Sequence, residues 1–141
     1  MQVALIAIAG EFRKGKSFLL NFFIRFLRHL RDGAKGDWLD PSVPLVNEFT
    51  WKRGTERHTH GVQLWSEPFF VWDDKGEEIV VLLADTQGTF DLQSSTKDNA
   101  LIFSFATLIS STLVRFFHKW DMVFYLINFS RYFRPLNHSP V

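Results

Sequence analysis

The sequence predicts an α/β fold of the three-layer sandwich type, in which helices cover both faces of a mostly parallel sheet. Residues 3–9 form an uninterrupted apolar run with the length of a buried strand, and the largely apolar residues 18–27 soon after it predict a packed helix. A second apolar run, residues 79–84, predicts another buried strand. Strands buried on both faces are typical of parallel sheets with helices on either side.

A glycine-rich segment joins the first strand to the first helix. The spacing G-x-x-x-x-G-K-[ST] is completed by residues 10–17, so a strand feeds a loop that opens into a helix. Gly10 and Gly15 let successive N–H groups point at one anion, and the helix N-terminus adds its dipole. Lys16 is predicted to reach the β- and γ-phosphates, and the Ser17 hydroxyl to ligate Mg²⁺. This pattern predicts a P-loop NTPase; the plain alternative is a glycine turn before an amphipathic helix with a solvated lysine.

An acidic residue follows the second buried strand. Asp85 comes directly after residues 79–84, and open α/β sheets bind ligands at the carboxyl ends of their strands. In a P-loop protein such an Asp is the expected partner of Mg²⁺, either directly or through a ligand of the ion, and Gly88 would let a backbone N–H approach the γ-phosphate. Taken alone, Asp85 has a simpler interpretation as a strand end that caps a helix.

The segment before this strand predicts one antiparallel edge hairpin. Residues 63–72 have strand composition, Pro68 confines them to an edge or a bulge, and residues 73–76 form a turn. The sheet is therefore expected to be parallel except at this edge.

Residues 51–61 are polar, basic and interrupted by glycine, which is typical of a mobile loop. A threonine in such a loop can give its hydroxyl to Mg²⁺ and its N–H to the γ-phosphate in the triphosphate state, and Thr59 is predicted to do so. His58 and His60 suggest zinc only weakly, since no carboxylate or thiolate supports them.

Composition restricts the classes of function. The chain has 141 residues, 46% of them hydrophobic, with no cysteine and a net charge of +1. The lack of cysteine excludes disulfides and thiol chemistry, and the charge gives no indication of nucleic-acid binding. Met1 leads directly into the first strand without a basic segment, so no secretory signal is expected. The longest uncharged stretch, residues 99–114, is shorter than the roughly 20 residues that span a bilayer and is predicted to be a buried helix.

Together these motifs resemble the atlastin branch of the dynamin superfamily, whose wider relatives are the guanylate-binding proteins. The resemblance covers residues 3–113 and rests on residues 9–18, 51–67 and 82–91, in the family's order. It implies a GTP-hydrolysing enzyme with Mg²⁺ as cofactor, GTP and GDP as ligands, and a homodimer that forms through the G domain when GTP is bound. It also implies the cytosolic face of the endoplasmic reticulum membrane, reached through segments absent from this chain, which is expected to be cytoplasmic as written.

The resemblance assigns roles to single residues as well. Arg13 is implied to act in cis on the γ-phosphate as an arginine finger, with a solvated side chain as the alternative. The catalytic set that it implies is Arg13, Lys16 and Thr59. The implied Mg²⁺ ligands are Ser17, Thr59 and Asp85. The implied nucleotide contacts are Arg13, Lys14, Gly15, Lys16, Ser17, Phe18, Gln87 and Gly88.

The resemblance ends near Leu113. The family's next strand ends in an Arg-Asp pair that holds the guanine base, and residues 115–129 contain no such pair. We therefore expect residues 3–113 to form the N-terminal part of a G domain whose sheet is incomplete at its C-terminal side, and residues 114–141 to form a divergent tail. Two alternatives stay open: a truncated product that acts only through binding, and an ATP-using P-loop enzyme.

Overall fold

The computed structural model describes residues 2–10, 15–33, 35–45, 61–73, 75–86 and 95–116. These residues form five strands and two helices. In chain order the elements are β1 (Gln2–Gly10), α1 (Lys16–Arg31), β2 (Val62–Leu64), β3 (Phe69–Trp72), β4 (Glu78–Thr86), α2 (Thr96–Ile109) and β5 (Thr112–Phe116). The predicted α/β class is confirmed.

The central strand of the sheet is β1, which pairs in parallel with β4 on one side and with β5 on the other. Ile8 lies opposite Asp85 of β4 and opposite Val114 of β5, so the three strands end at the same edge. β2 and β3 pair antiparallel with successive parts of β4. This arrangement confirms a mostly parallel sheet with one antiparallel edge hairpin.

Pro68 divides the predicted edge strand, residues 63–72, into two short strands. Proline has no N–H to donate to the sheet, and β3 begins only at the residue after it. Before the break, the Trp65 N–H still donates to the Leu83 carbonyl at 2.9 Å. Asp73 then stabilises the turn into β4, because its carboxylate accepts two backbone N–H groups at 2.8 and 2.9 Å. The hairpin is thus an interrupted edge strand folded back on β4.

α1 packs against one face of the sheet and is longer than the predicted residues 18–27. Its buried positions recur every three or four residues, the spacing of a helix with one apolar side. Gly33, at φ 89°, follows its C-terminal end, where a left-handed residue commonly stops a helix. The core that α1 shares with the sheet consists of Ile6, Ile8, Leu19, Leu20, Phe23, Ile24, Phe26, Leu27, Leu30, Phe69, Val71, Val81, Leu83 and Val114.

The opposite face of the sheet is contacted by α2. Ala7 alternates with the core residues Ile6 and Ile8 along β1, so its side chain points away from α1. Ala7 is fully buried, and within α2 the buried residue is Ala106. The sheet therefore lies between two helical layers, as predicted.

The prediction of a buried helix over residues 99–114 is wrong in two respects. First, α2 is largely exposed: Leu101, Phe105 and Leu108 expose 68%, 50% and 84% of their surface. Second, Ser110 has an extended backbone that ends the helix, and β5 starts at Thr112. An apolar run indicates what a segment is able to bury, but not whether another element faces it. The proposed division after residue 113, a point that β5 crosses, stays a prediction.

Neither of the two helices within the described ranges has the length and apolar content needed for a bilayer crossing.

Candidate functional site

The site begins at Gly15, which precedes α1 with φ 89° and ψ 27°. Such a left-handed conformation is strained for residues that carry a side chain. A Cβ atom added at Gly15 would lie 4.0 Å from the Phe18 Cβ, an ordinary contact, so conformation rather than space favours glycine. The first turn of α1 contains no acidic residue, so no side-chain charge within that turn offsets the positive end of the helix dipole.

Two predicted Mg²⁺ ligands meet at this helix start. The Ser17 hydroxyl donates a hydrogen bond to a carboxylate oxygen of Asp85, which is fully buried near the end of β4. The two residues are 68 positions apart in the sequence. They meet because Asp85 and the core residue Leu83 point to the same face of β4, the face on which α1 lies.

Lys16 adds a positive charge at the same helix start. Its side chain is only 6% exposed, although lysine is rarely buried unless a negative group accompanies it. Its neighbours in sequence are the left-handed Gly15 and the Asp85-bonded Ser17. A buried cation beside the N–H groups of a helix start favours a strongly anionic ligand, such as a phosphate chain.

The chemistry of this donor set fits magnesium. The Ser17 hydroxyl and the Asp85 carboxylate are hard oxygen ligands, which Mg²⁺ prefers over nitrogen and sulfur. Mg²⁺ is commonly held by one or two protein oxygens together with phosphate oxygens and water. One hydroxyl and one carboxylate are therefore enough protein ligands for the ion. Their roles as ligands stay predictions.

Phe18, a predicted nucleotide contact, is partly buried in the first turn of α1. Its ring packs edge-on against Phe22, with 5.2 Å between ring centroids. The other predicted site residues lie outside the described residues, as do the zinc candidates His58 and His60. Those site residues are Arg13, Lys14, Thr59, Gln87 and Gly88.

Sequence reasoning did not single out Thr86, the last residue of β4. Its hydroxyl donates to the backbone carbonyl of Ile8 at 2.8 Å, and the residue is only 2% exposed. The available signal was a threonine directly after Asp85 at the end of an apolar strand, but the partner on β1 follows only from the strand register.

The C-terminal end of α1 carries a second charged cluster that sequence reasoning also missed. Glu67, between β2 and β3, accepts hydrogen bonds from Arg28 at 2.6 Å and from Arg31 at 2.7 Å. Arg31 also donates to Asp32 at 2.9 Å. We call Arg28, Arg31, Asp32 and Glu67 the C-terminal ion cluster. It ties the end of α1 to the interrupted edge strand.

The cluster shifts the pKa values of its acids downward. Burial raises the pKa of Glu67, but the hydrogen bond and charge of Arg28, with smaller contributions from Trp65 and Arg31, outweigh it and leave that pKa below its ordinary value. The hydrogen bond from Arg31 likewise lowers the pKa of Asp32. Both carboxylates are therefore held in their charged forms.

A cleft of about 280 Å³ lies between α1 and residues 37–44. Arg25 spans it, donating to the backbone carbonyls of Asp40 at 2.8 Å and of Val43 at 3.1 Å. Trp38 packs on Phe26 with 4.9 Å between ring centroids. These contacts attach the segment after α1 to the helix. The cleft is therefore explained by the packing of this segment on α1, without a ligand.

Parallel strands that end together beside a left-handed glycine, with a buried lysine opening the next helix, are typical of α/β domains of the P-loop type. The comparison with known families makes the assignment more specific. The family model of the guanylate-binding protein N-terminal domain matches residues 1–119, and the chain belongs to this family.

Among known proteins the chain is similar to atlastins. It is 45% identical to atlastin-3 of Mus musculus over 115 residues, which are 81% of this chain and 21% of that protein. It is 44% identical to atlastin-3 of Homo sapiens over 115 residues, with the same coverage. It is 46% identical to atlastin-1 of Bos taurus over 114 residues, 80% of this chain and 20% of that protein. The resemblance predicted from the motifs is confirmed, and the chain spans about a fifth of the length of these relatives.

Proposed function

We propose that this chain is the phosphate-binding part of a dynamin-like GTPase domain, which binds GTP with Mg²⁺ and hydrolyses it to GDP and phosphate. The observation that carries the proposal is the hydrogen bond between Ser17 and Asp85 next to the buried Lys16. It brings a hydroxyl, a carboxylate and a cation to one helix start, which is the combination that a magnesium-bound triphosphate requires. Family membership supports guanine over adenine as the base.

Each residue has a separate task in this proposal. Lys16 and the first N–H groups of α1 neutralise the phosphate chain, and Gly15 lets the backbone approach it. Ser17, Asp85 and Thr59 would hold Mg²⁺, which supplies charge neutralisation at the β- and γ-phosphates when bound. In hydrolysis a water oxygen forms a bond to the γ-phosphorus while the bond to the β–γ bridging oxygen breaks. Arg13 stabilises the charge that develops in this step, as the family resemblance implies.

Calorimetry on the full chain tests this function. We expect GTP to bind in the presence of Mg²⁺ and to bind much more weakly when EDTA removes the ion. Comparison with ATP then measures base selection: a clear preference for GTP supports the GTPase assignment, and equal binding of both indicates that the chain does not select the base. Folded protein that takes up neither nucleotide in a magnesium-dependent way would contradict the proposal.

A second candidate is a product that binds nucleotide without hydrolysing it. It is favoured by residues 115–129, which lack the Arg-Asp pair that the family uses for guanine. The Arg13→Ala variant separates the candidates, with Arg31→Ala as an arginine control outside the site. In a GTPase, Arg13→Ala slows turnover by about 10³–10⁵ and leaves GTP affinity nearly intact. If the unchanged chain hydrolyses GTP no faster than the Arg13→Ala variant, the result supports a product that binds nucleotide without hydrolysing it.

The family resemblance also supports two wider proposals. One is a homodimer that forms through the G domain when GTP is bound, and light scattering with a non-hydrolysable GTP analogue would show a doubled mass. The other is residence at the cytosolic face of the endoplasmic reticulum membrane, through segments other than residues 1–141. Fluorescence microscopy of a tagged chain would show whether these residues alone reach that membrane.

A further inference from the structure

Thr86 occupies a special place at the edge of the sheet. The last residue pair between the parallel strands β1 and β4 is Ile8 with Asp85. Thr86 comes one residue later, and its hydroxyl donates to the Ile8 carbonyl at 2.8 Å. A side chain thus adds a cross-strand hydrogen bond at the point where the residue pairing between the two strands ends.

This bond acts on the backbone that carries Asp85. Successive residues of a strand point to opposite faces, so Asp85 faces α1 while Thr86 faces the α2 side. The Asp85 carboxylate receives the Ser17 hydroxyl, and its position depends on how the end of β4 lies against β1. Strand ends are the part of a sheet that opens most easily, so a bond at this position restricts the motion of Asp85.

Strand propensity does not explain why residue 86 is a threonine and not a valine. Valine has nearly the same shape and a similar preference for strands, and the site is only 2% exposed. In such a place a valine would bury as well as threonine but would remove the donor that Ile8 accepts from. The threonine oxygen therefore has a role beyond packing.

We propose that Thr86 is a positioning residue for the Mg²⁺–nucleotide site: its hydrogen bond to Ile8 holds the end of β4 so that the Asp85 carboxylate faces Ser17. The inference rests on the proposed function, because it assigns a purpose to the Ser17–Asp85 contact. It concerns the apparent affinity for Mg²⁺ and leaves the identity of the base aside.

The test is a Mg²⁺ titration of the full chain with a fluorescent GTP analogue, in which the concentration for half-maximal binding is measured. We expect Thr86→Val to raise this concentration about five- to tenfold, the effect of losing one buried hydrogen bond. Thr86→Ser keeps the hydroxyl and is expected to stay within about twofold of the unchanged chain. A purely structural role would reduce the fraction of active protein without moving the midpoint.

Thr107 offers a matched control. Its hydroxyl also donates to a backbone carbonyl, that of Phe103, at the same 2.8 Å, but it lies on the exposed surface of α2. Thr107→Val is expected to leave the Mg²⁺ midpoint unchanged. If Thr86→Val does not fold, Thr86→Cys replaces it, since a thiol is a weaker donor and should still raise the midpoint.

The outcomes distinguish the two proposals. A midpoint that is the same in Thr86→Val, or in Thr86→Cys, as in the unchanged chain overturns the role of Thr86 alone. So does an equal rise in Thr107→Val. If the unchanged, folded chain shows no magnesium-dependent binding, the proposed function fails and this inference fails with it.

Discussion

The two ends of α1 both bring charged side chains together, but they do so in different surroundings. At the N-terminal end Lys16 is 6% exposed and Asp85 is fully buried. At the C-terminal end the side chains of Arg28 and Glu67 are 30% and 26% exposed, and that of Arg31 is 48% exposed. One helix therefore holds one set of charges away from water and another set partly in it.

This difference supports separate roles for the two ends, the proposed binding site at one and a structural clamp at the other. Buried charges lose their hydration and depend strongly on their partners, so removing one of them should affect its surroundings more than removing a hydrated charge. Half-exposed pairs stay hydrated and contribute little each, although several together can fix the position of a helix end. Substitutions at the two ends should therefore have separable effects on binding and on stability.

The largest effect is expected for Lys16→Ala. Removing one partner of a buried charge interaction commonly costs about 2–5 kcal/mol, which corresponds to a loss of GTP affinity of at least about 30-fold. Calorimetry measures the affinity, and circular dichroism verifies that the variant is folded. Lys75→Ala, in the exposed turn before β4, is the control and should bind as the unchanged chain does. Equal affinities in the two variants would remove Lys16 from the site.

The second effect concerns Asp85→Asn. Asparagine keeps the shape and still accepts from Ser17, but it lacks the charge that attracts Mg²⁺. We expect the Mg²⁺ concentration for half-maximal nucleotide binding to rise by about 10- to 100-fold. Asp32→Asn, in the C-terminal ion cluster, is the matched control and should leave this midpoint in place. A midpoint that moves equally in both variants would mean that the two ends do not differ in function.

The third prediction concerns Glu67→Gln, which should change the stability of the fold and leave binding nearly unchanged. Glu67→Gln weakens three hydrogen bonds of the C-terminal ion cluster and should lower the free energy of unfolding by about 1 kcal/mol, since the pairs are partly exposed. GTP affinity should stay within about twofold. Urea denaturation and calorimetry on the same preparation provide both values. Loss of affinity without loss of stability would contradict the assignment of this cluster to the fold.

The smallest expected effect is that the stability loss caused by Glu67→Gln depends on pH. Because the pKa of Glu67 is lower in the folded chain, its stabilising contribution is present above the ordinary glutamate value of about 4.3 and is lost as pH falls through the lower folded value. The melting temperatures of the unchanged chain and of Glu67→Gln should therefore differ at pH 7 and converge towards pH 3. A difference that stays constant over this range would show that the charge of Glu67 is not responsible.

Sequence reasoning predicted most of the fold for a clear physical reason. A buried parallel strand must be apolar along its whole length, so residues 3–9 and 79–84 could each be recognised as a strand from their own sequence. β5 could not, because its residues continue an apolar stretch and only the break at Ser110 separates them from α2. The exposure of Leu108 could not be predicted either, since helical periodicity does not reveal which elements are available to cover a face.

The candidate site was predictable to a similar degree. The loop spacing indicated Lys16 and Ser17, and the end of a buried strand indicated Asp85, because these signals are local in the sequence. The hydrogen bond of Thr86 and the contacts of Glu67 with α1 depend on strand register and join residues 36 or more positions apart. Such contacts leave no local pattern, so they appear only in the folded chain.

Gly15 has a consequence for how this position tolerates change. Its φ of 89° is a matter of backbone handedness, and there is room for a first side-chain atom. The loss in the free energy of unfolding should then be set by how readily the new residue adopts the left-handed region, about 1–2 kcal/mol for most L-amino acids, and not by its volume. Asparagine, although larger than alanine, visits that region more easily and would be the milder substitution. Among replacements of this glycine, the stability of the fold should therefore follow backbone handedness and not side-chain size.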